Sequence, residues 1–211
     1  MSNIKYGLIS ETDGLTLQKT IDLLSKELDD GFINVTEVGV YGGDTGKGLA
    51  DYIKSKGIIP NMIGIDNKRD NEPLRFEYNK LIIGNSNEVY NQIPNNSQHL
   101  ILIDGCHTFP AVIADFFCYS AKVKPGGYIA FHDTGSHINP LHGWQGVGDK
   151  NDPDFCLGGV RKALNMLDLL YENDYSIFGM HSDTSGGWKL IFDEADSNDL
   201  AGGFTVFKKL Y

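Results

Sequence analysis

The stretch NVTEVGVYGGDTG, residues 34–46, decides the fold. NVTEVGV (34–40) is rich in β-branched residues and short enough for a buried strand. The glycines after it make a turn, and Leu49 and Ile53 suit the face of a helix. Strand, glycine turn and helix open a βαβ unit. Downstream, NMIGID (61–66), KLIIG (80–84), HLILID (99–104) and GYIAFHD (127–133) are apolar runs of strand length with little polar alternation. Such runs belong to strands covered on both faces. Between the last two, Thr108 is placed to cap a helix that takes Pro110 in its first turn and runs through AVIADFFCYSAKV until the turn KPGG stops it. Upstream, Leu17, Ile21, Leu24 and Leu28 share one helical face, predicting an amphipathic helix over about 13–30, with Asp13 or Thr16 as cap and Gly31 beyond its end.

After residue 133 the pattern breaks into TGSHINPLHGWQGVGDKNDPDF, read as a lid-like insertion over about 135–157. A helix follows in GGVRKALNMLDLLYEN, where Val160, Leu164, Leu167 and Leu170 or Tyr171 share a face. YSIFGMH, GGWKLIF and GGFTVFKKL then offer three strands, so the sheet is expected to end antiparallel. The prediction is one α/β domain over 1–211, built on a doubly wound, mostly parallel sheet.

Composition narrows the function. The 41% hydrophobic content supports a full core, and 25 glycines without a triplet period point to turns between elements. Eighteen Lys and Arg against 28 Asp and Glu give a net charge of −10, with no basic cluster, which disfavours nucleic acid as a partner. Cys106, Cys118 and Cys156 are odd in number and lack metal-type spacing, which suits a reducing compartment. No leader-like or membrane-length apolar run occurs, so a soluble, cytoplasmic protein is expected.

In doubly wound sheets the ligand lies at the carboxyl ends of the strands. Every notable polar cluster falls there: Glu37 to Thr45, Asp66, Asn85 to Asn87, Asp104 to His107, and His132 to Thr134. Gly39, Gly42 and Gly43 would let a ligand approach backbone N–H groups at a helix N-terminus. Tyr41 stands where the dinucleotide fingerprint needs its second glycine, so a nicotinamide dehydrogenase is the minor reading. Asp66 suits either two ribose hydroxyls or a turn before Asn67. GNSNEV offers groups for an adenine edge or a helix cap.

The order EVGVYGGDT, GID, GNSNE resembles the class I S-adenosylmethionine-dependent methyltransferases, the catechol O-methyltransferase branch in particular, across roughly 34–134. The resemblance implies a seven-stranded, Rossmann-like sheet. It implies that Glu37 and Gly39 hold the methionine amino end, Tyr41, Gly43 and Thr45 its carboxylate, Asp66 the ribose, and Ser86 with Asn87 the adenine region, with Asp104 bordering the same pocket. Asp44 departs from the pattern, setting a negative charge beside the carboxylate position, pointing outward or capping the next helix.

The segments LILIDGCHTF and KPGGYIAFHDT put Asp104, His107, His132 and Asp133 on two strand ends. Adjacent strands lie about 4.8 Å apart, so the four side chains can converge on one ion. Taken singly, Asp104 could be a helix-start anion and His132 a core histidine; together they favour a metal. This half resembles the metal-dependent catechol and macrolide-sugar O-methyltransferases. The likeness implies Asp104, His132 and Asp133 as metal ligands and His107 as the catalytic base, Asp104 serving the reaction as well. The His-Asp pair replaces the Asp-Asn or two acids of those branches. Mg²⁺ or Mn²⁺ is expected, the softer imidazole admits Zn²⁺ or Fe²⁺, and a metal-free site stays open. The implied chemistry is direct: metal and His107 activate an acceptor hydroxyl, which attacks the sulfonium methyl in line.

In the insertion, His137, His142, Trp144 and Asp152 are placed to cover the acceptor. Trp144 suits a stacking or an ordinary packing role, and Arg161 an anionic acceptor or a salt bridge. The leading expectation is an O-methyltransferase for a small hydroxylated molecule, a sugar or secondary metabolite. Against it stand a metal-dependent hydrolase built on Asp104, His107, His132 and Asp133, which leaves Glu37, Asp66 and Ser86 without a role, and a non-catalytic cofactor-binding module. A homo-oligomer is compatible with the sequence and not required by it.

Overall fold

The computed structural model describes residues 9–28, 31–67, 74–134, 159–167, 187–194 and 202–211. Helix α1 (Glu11–Glu27) leads into β1 (Phe32–Val38), α2 (Asp44–Ser55), β2 (Ile59–Asp66), β3 (Lys80–Ile83) and the single turn α3 (Ser86–Val89). Then come β4 (Gln98–Ile103), α4 (Phe109–Tyr119), β5 (Val123–His132), α5 (Gly159–Met166), β6 (Trp188–Glu194) and β7 (Phe204–Lys209). The strands form one seven-stranded sheet in the order β3-β2-β1-β4-β5-β7-β6. Strands β1 to β5 run parallel, while β7 is antiparallel to both β5 and β6. The expected doubly wound α/β sheet with an antiparallel end is therefore present.

The central strands bury both faces, and their alternation divides the core. Leu100 and Leu102 of β4, with Tyr128 and Ala130 of β5, join Leu17, Ile21 and Leu24 of α1 and Leu49 and Ile53 of α2. Their neighbours Ile101, Ile103, Ile129 and Phe131 face the other way, against Val112 and Tyr119 of α4 and Val160 and Leu164 of α5. Side chains at successive strand positions point to opposite faces, so a continuous apolar run supplies two cores.

Three local readings change. The cap of α1 is Ser10, whose Oγ accepts from Asp13 N–H at 3.1 Å while the Asp13 carboxylate accepts from Ser10 N–H at 3.1 Å, a reciprocal capping box. Asp13 is thus the third helical residue, and α1 begins at Glu11. KPGG does not stop the chain in a turn: α4 closes through the 3₁₀ turn Ser120–Lys122, and β5 starts at Val123 and runs through KPGG. A register shift opposite Gln98 and Leu100, with Gly126 at φ +81°, absorbs the irregularity. At the carboxyl end, GGWKLIF and GGFTVFKKL supply β6 and β7. The YSIFGMH candidate, Leu170 with Tyr171, and the insertion carrying His137, His142, Trp144 and Asp152 lie outside the described residues. Among the described residues no helix is long and apolar enough to cross a membrane.

The chain leaves β1 for β2 and β3 at one edge, then returns to β4 on the other side of β1. The strand order reverses between β1 and β4, and their carboxyl ends open the crevice in which the candidate residues meet.

Candidate active site

The glycine turn is built by close backbone approach. Asp104 N–H donates to the Val38 carbonyl at 2.8 Å and Gly39 N–H to the Ile65 carbonyl at 2.9 Å, drawing the ends of β1, β2 and β4 together. Gly39 has φ +90°, and a Cβ there would sit 2.1 Å from the Asp104 carbonyl oxygen. Only glycine fits. Asp66 closes the same turn, its Oδ2 accepting from Val40 N–H at 3.0 Å and Tyr41 N–H at 2.9 Å. Tyr41 holds a left-handed φ of +46° and is exposed. Gly43 forms the left-handed N-cap of α2 at φ +80°, with Thr45 buried in the first turn. Asp44 is turned to Arg75, whose Nη1 lies 2.5 Å from its Oδ2, so the charge beside the expected carboxylate position is paired.

Glu37 is buried at the end of β1 and accepts a hydrogen bond from the Tyr78 hydroxyl. Burial, with Asp104 and Asp66 nearby, pushes its carboxyl up to about 8, although the Tyr78 bond pulls the other way. Ser86 donates to Asp115 Oδ1 at 2.6 Å, and its carbonyl accepts from the Tyr119 hydroxyl at 2.9 Å. Burial raises the Asp115 carboxyl to about 6, against the Ser86 bond. Asn87 is exposed beside it.

Four side chains meet across the ends of β4 and β5. Asp104 Oδ1 lies 2.9 Å from His132 Nδ1 and 3.3 Å from His107 Nε2, and His107 Nδ1 lies 2.8 Å from Asp133 Oδ2. Burial would raise the Asp104 carboxyl, but the two imidazoles outweigh it and hold it at about 2. Burial would lower His107, yet its bonds to Asp104 and Asp133 bring it up to about 9, and Asp104 with Asp13 and Asp133 likewise lifts His132 well above its ordinary value. In the protein alone His107 is therefore charged at pH 7, not the neutral imidazole expected from its ordinary pKa. Asp133 sits in the left-handed region at φ +57°. Its Oδ1 is buried without a hydrogen-bond partner among the described residues and lies 3.6 Å from His132 Nδ1.

An acceptor oxygen with no donor among the described residues, beside a second carboxylate and imidazole nitrogens, fits a cation. Ligand atoms of Asp104, His107 and Asp133 all lie within 4.8 Å of one another, so His107, expected as the base, also stands in ligand range. His132, expected as a ligand, faces Asp104 with one nitrogen and Asp13 Oδ2 with the other, at 3.3 Å. The set of oxygen and nitrogen donors suits Mn²⁺ as readily as Mg²⁺.

Sequence reading missed Asp13, Tyr78 and Asp115. Asp13 and Asp115 are acidic residues on buried helix faces, Asp115 within the apolar run AVIADFF being the most legible, while Tyr78 lies in the connection before β3 and carries no such signal. Arg161 is committed to structure: its Nε donates to the Thr134 carbonyl at 2.7 Å and its two Nη atoms reach Asp193 at 3.0 and 2.8 Å. Cys106 is exposed and touches Thr108 Oγ1.

Residues 36–134 match the family model described as a methyltransferase domain. Among solved structures, cofactor-bound Rv0187 from MTB is 14% identical, with 98% of this chain and 84% of that one covered and a TM-score of 0.63. An O-methyltransferase from Bacillus cereus in complex with SAH is 15% identical, covering 99% and 86%, with a TM-score of 0.59. MycE methyltransferase from the mycinamycin pathway, in complex with Mg, SAH and mycinamycin VI, is 17% identical, covering 97% of this chain and 51% of that one, at 0.51. No curated protein matches the chain significantly. The class I methyltransferase fold implied by the sequence is borne out, and the match to the methyltransferase model spans residues 36–134.

Proposed function

We propose that the chain is an S-adenosylmethionine-dependent O-methyltransferase that acts on a hydroxyl of a small molecule with help from a divalent cation. The observation that carries this reading is the meeting of Asp104, His107, His132 and Asp133 beside the glycine turn, with the buried Oδ1 of Asp133 lacking a donor among the described residues. An O-methyltransferase and a methyltransferase complexed with Mg, both of similar fold, support it.

On this reading Glu37, the turn from Gly39 to Thr45, Asp66 and the Ser86–Asn87 turn hold the cofactor, which when bound supplies an electrophilic sulfonium methyl. Asp104, Asp133 and His132 would hold the cation, which when bound would lower the pKa of an acceptor hydroxyl. The chain's own residues do the rest. Asp104 and Asp133 fix the ring of His107 from both nitrogens. His107 would take the hydroxyl proton once neutral, and a cation held by the two carboxylates would answer the negative charge that raises its pKa. No covalent enzyme intermediate is needed, because proximity and charge supply the acceleration.

Isothermal titration with S-adenosylmethionine, with and without Mn²⁺, tests the reading. Cofactor binding that persists at near-millimolar levels or below is expected, together with separate metal binding. No cofactor binding overturns it, and metal binding alone would favour the hydrolase.

A further inference from the structure

Asp13 lies 119 positions before His132, on a helix that neither the glycine turn nor the ends of β4 and β5 require. It is 1% exposed. Its two oxygens meet three nitrogens from three parts of the chain: Oδ2 accepts from Ser10 N–H at 3.1 Å and lies 3.3 Å from His132 Nε2, and Oδ1 accepts from Gly203 N–H at 2.9 Å. Gly203 in turn accepts from Thr134 N–H at 3.3 Å. Asp13 and the His132-Asp133-Thr134 segment thus share one frame, and Phe204 packs on the His132 ring at a centroid distance of 4.7 Å.

The two ring nitrogens of His132 face opposite ways, Nε2 toward Asp13 Oδ2 at 3.3 Å and Nδ1 toward Asp104. A neutral imidazole carries one N–H, so Nδ1 can offer a lone pair to a cation only if that N–H sits on Nε2, where the Asp13 carboxylate accepts it. Nδ1 faces Asp104 Oδ1 at 2.9 Å and Asp133 Oδ1 at 3.6 Å, the second being the buried oxygen without a donor among the described residues. Metal-ligating histidines are commonly oriented by a carboxylate on their far nitrogen.

We propose that Asp13 is a positioning residue: it takes the Nε2–H of His132 and so presents Nδ1 as a metal ligand alongside Asp104 and Asp133. This rests on the metal-assisted reading above. It makes α1, which packs on the opposite face of the sheet from α4, a part of the metal site.

The test measures Mn²⁺ binding by paramagnetic resonance, on the whole protein without acceptor or methyl donor, for wild type, Asp13→Asn, Asp13→Ala and Ser10→Ala. Ser10→Ala removes the cap of the same helix while leaving the Asp13 carboxylate, and so controls for loosening of α1. Wild type and Ser10→Ala are expected to bind alike, with roughly 10- to 100-fold weaker binding in both Asp13 variants. Thermal melts establish that each variant is folded; if Asp13→Ala is not, Asp13→Asn carries the comparison. Equal binding by wild type and Asp13→Asn overturns the inference and leaves the metal reading standing, as does Ser10→Ala weakening binding as much as Asp13→Asn. No binding by wild type overturns both.

Discussion

Nδ1 of His107 stands 2.8 Å from Oδ2 of Asp133, a contact that joins the loop after β4 to a residue held at φ +57° after β5. Neither residue is placed by its own strand alone. The left-handed backbone at Asp133 turns its carboxylate back across the strand ends, and the three-residue step from Asp104 brings His107 under it. Strain of this kind, about 1–3 kcal/mol for a non-glycine residue, persists where surrounding contacts hold it, here the Thr134 to Gly203 and Arg161 to Thr134 bonds.

His107→Ala is expected to slow methyl transfer by about 10²- to 10⁴-fold, the range of a lost acid–base catalyst. Its affinity for S-adenosylmethionine should match wild type, since Glu37, Asp66 and Ser86 are untouched. Turnover and cofactor titration on the same preparation check this. A variant with unchanged turnover removes His107 as base.

Asp133→Asn and Asp133→Ala separate backbone from charge. Asparagine tolerates the left-handed region and alanine does not, so the alanine variant should be less stable than the asparagine one by about 1 kcal/mol. Both should lose Mn²⁺ affinity, because the acceptor charge is gone in each. Urea melts and metal titration read the two effects independently, and equal stabilities would show that the backbone at 133 relaxes freely.

Much of the site was legible in the sequence because parallel buried strands advertise themselves as apolar runs, and their polar ends mark one rim. Glu37, Asp66, Asp104 and Asp133 all follow such runs. The extent of β5 was misread because KPGG has turn chemistry, yet β5 runs through it, its pairing to β4 skipping from Val123 to Tyr128. Asp13 was legible only as a capping residue. Nothing local to SETDGL reports that its carboxylate meets His132, since that contact depends on α1 packing beside β7. Arg161 is similar: a basic residue in the first turn of a helix gives no sign of Asp193, its partner on β6.

Glu37 and Tyr78 set a pH dependence for the cofactor-free protein. The carboxyl has an ordinary value of 4.5 and a folded value raised to about 8, so between those values the native state holds a proton that the unfolded chain has lost. Stability should therefore fall as pH rises from about 5 to 8 and level off above it, as far as this group governs it. His107, raised to about 9, adds a loss in the same direction above its ordinary 6.5. Glu37→Gln removes the first component and should reduce the slope between pH 5 and 6.5, where His107 does not yet contribute and Asp115, raised to about 6, leaves a smaller fall of the same sign. Denaturant melts at intervals across this range check it, and an unchanged slope would contradict a buried, protonated Glu37.

Gly39 offers the sharpest test of how the site is closed. The turn brings the backbone of β1 against that of β4, and a Cβ at 39 would overlap not a flexible side chain but the Asp104 carbonyl, its carbon and Gly105 Cα, at 2.1 to 2.6 Å. Backbone cannot step aside without moving Asp104, whose carboxylate binds both histidines. Gly39→Ala adds the left-handed penalty of about 1–2 kcal/mol to an overpacking cost of about 1–3 kcal/mol, so a loss of about 2–5 kcal/mol is expected. The same substitution should weaken Mn²⁺ binding even where the fold survives, because the relief must come from the β4 end. Gly57, at φ +75° with open space around it, carries only the conformational part. Gly57→Ala should therefore cost about 1–2 kcal/mol and leave the metal site intact, and parity between the two variants would show that contact at Asp104 is not what demands glycine at 39.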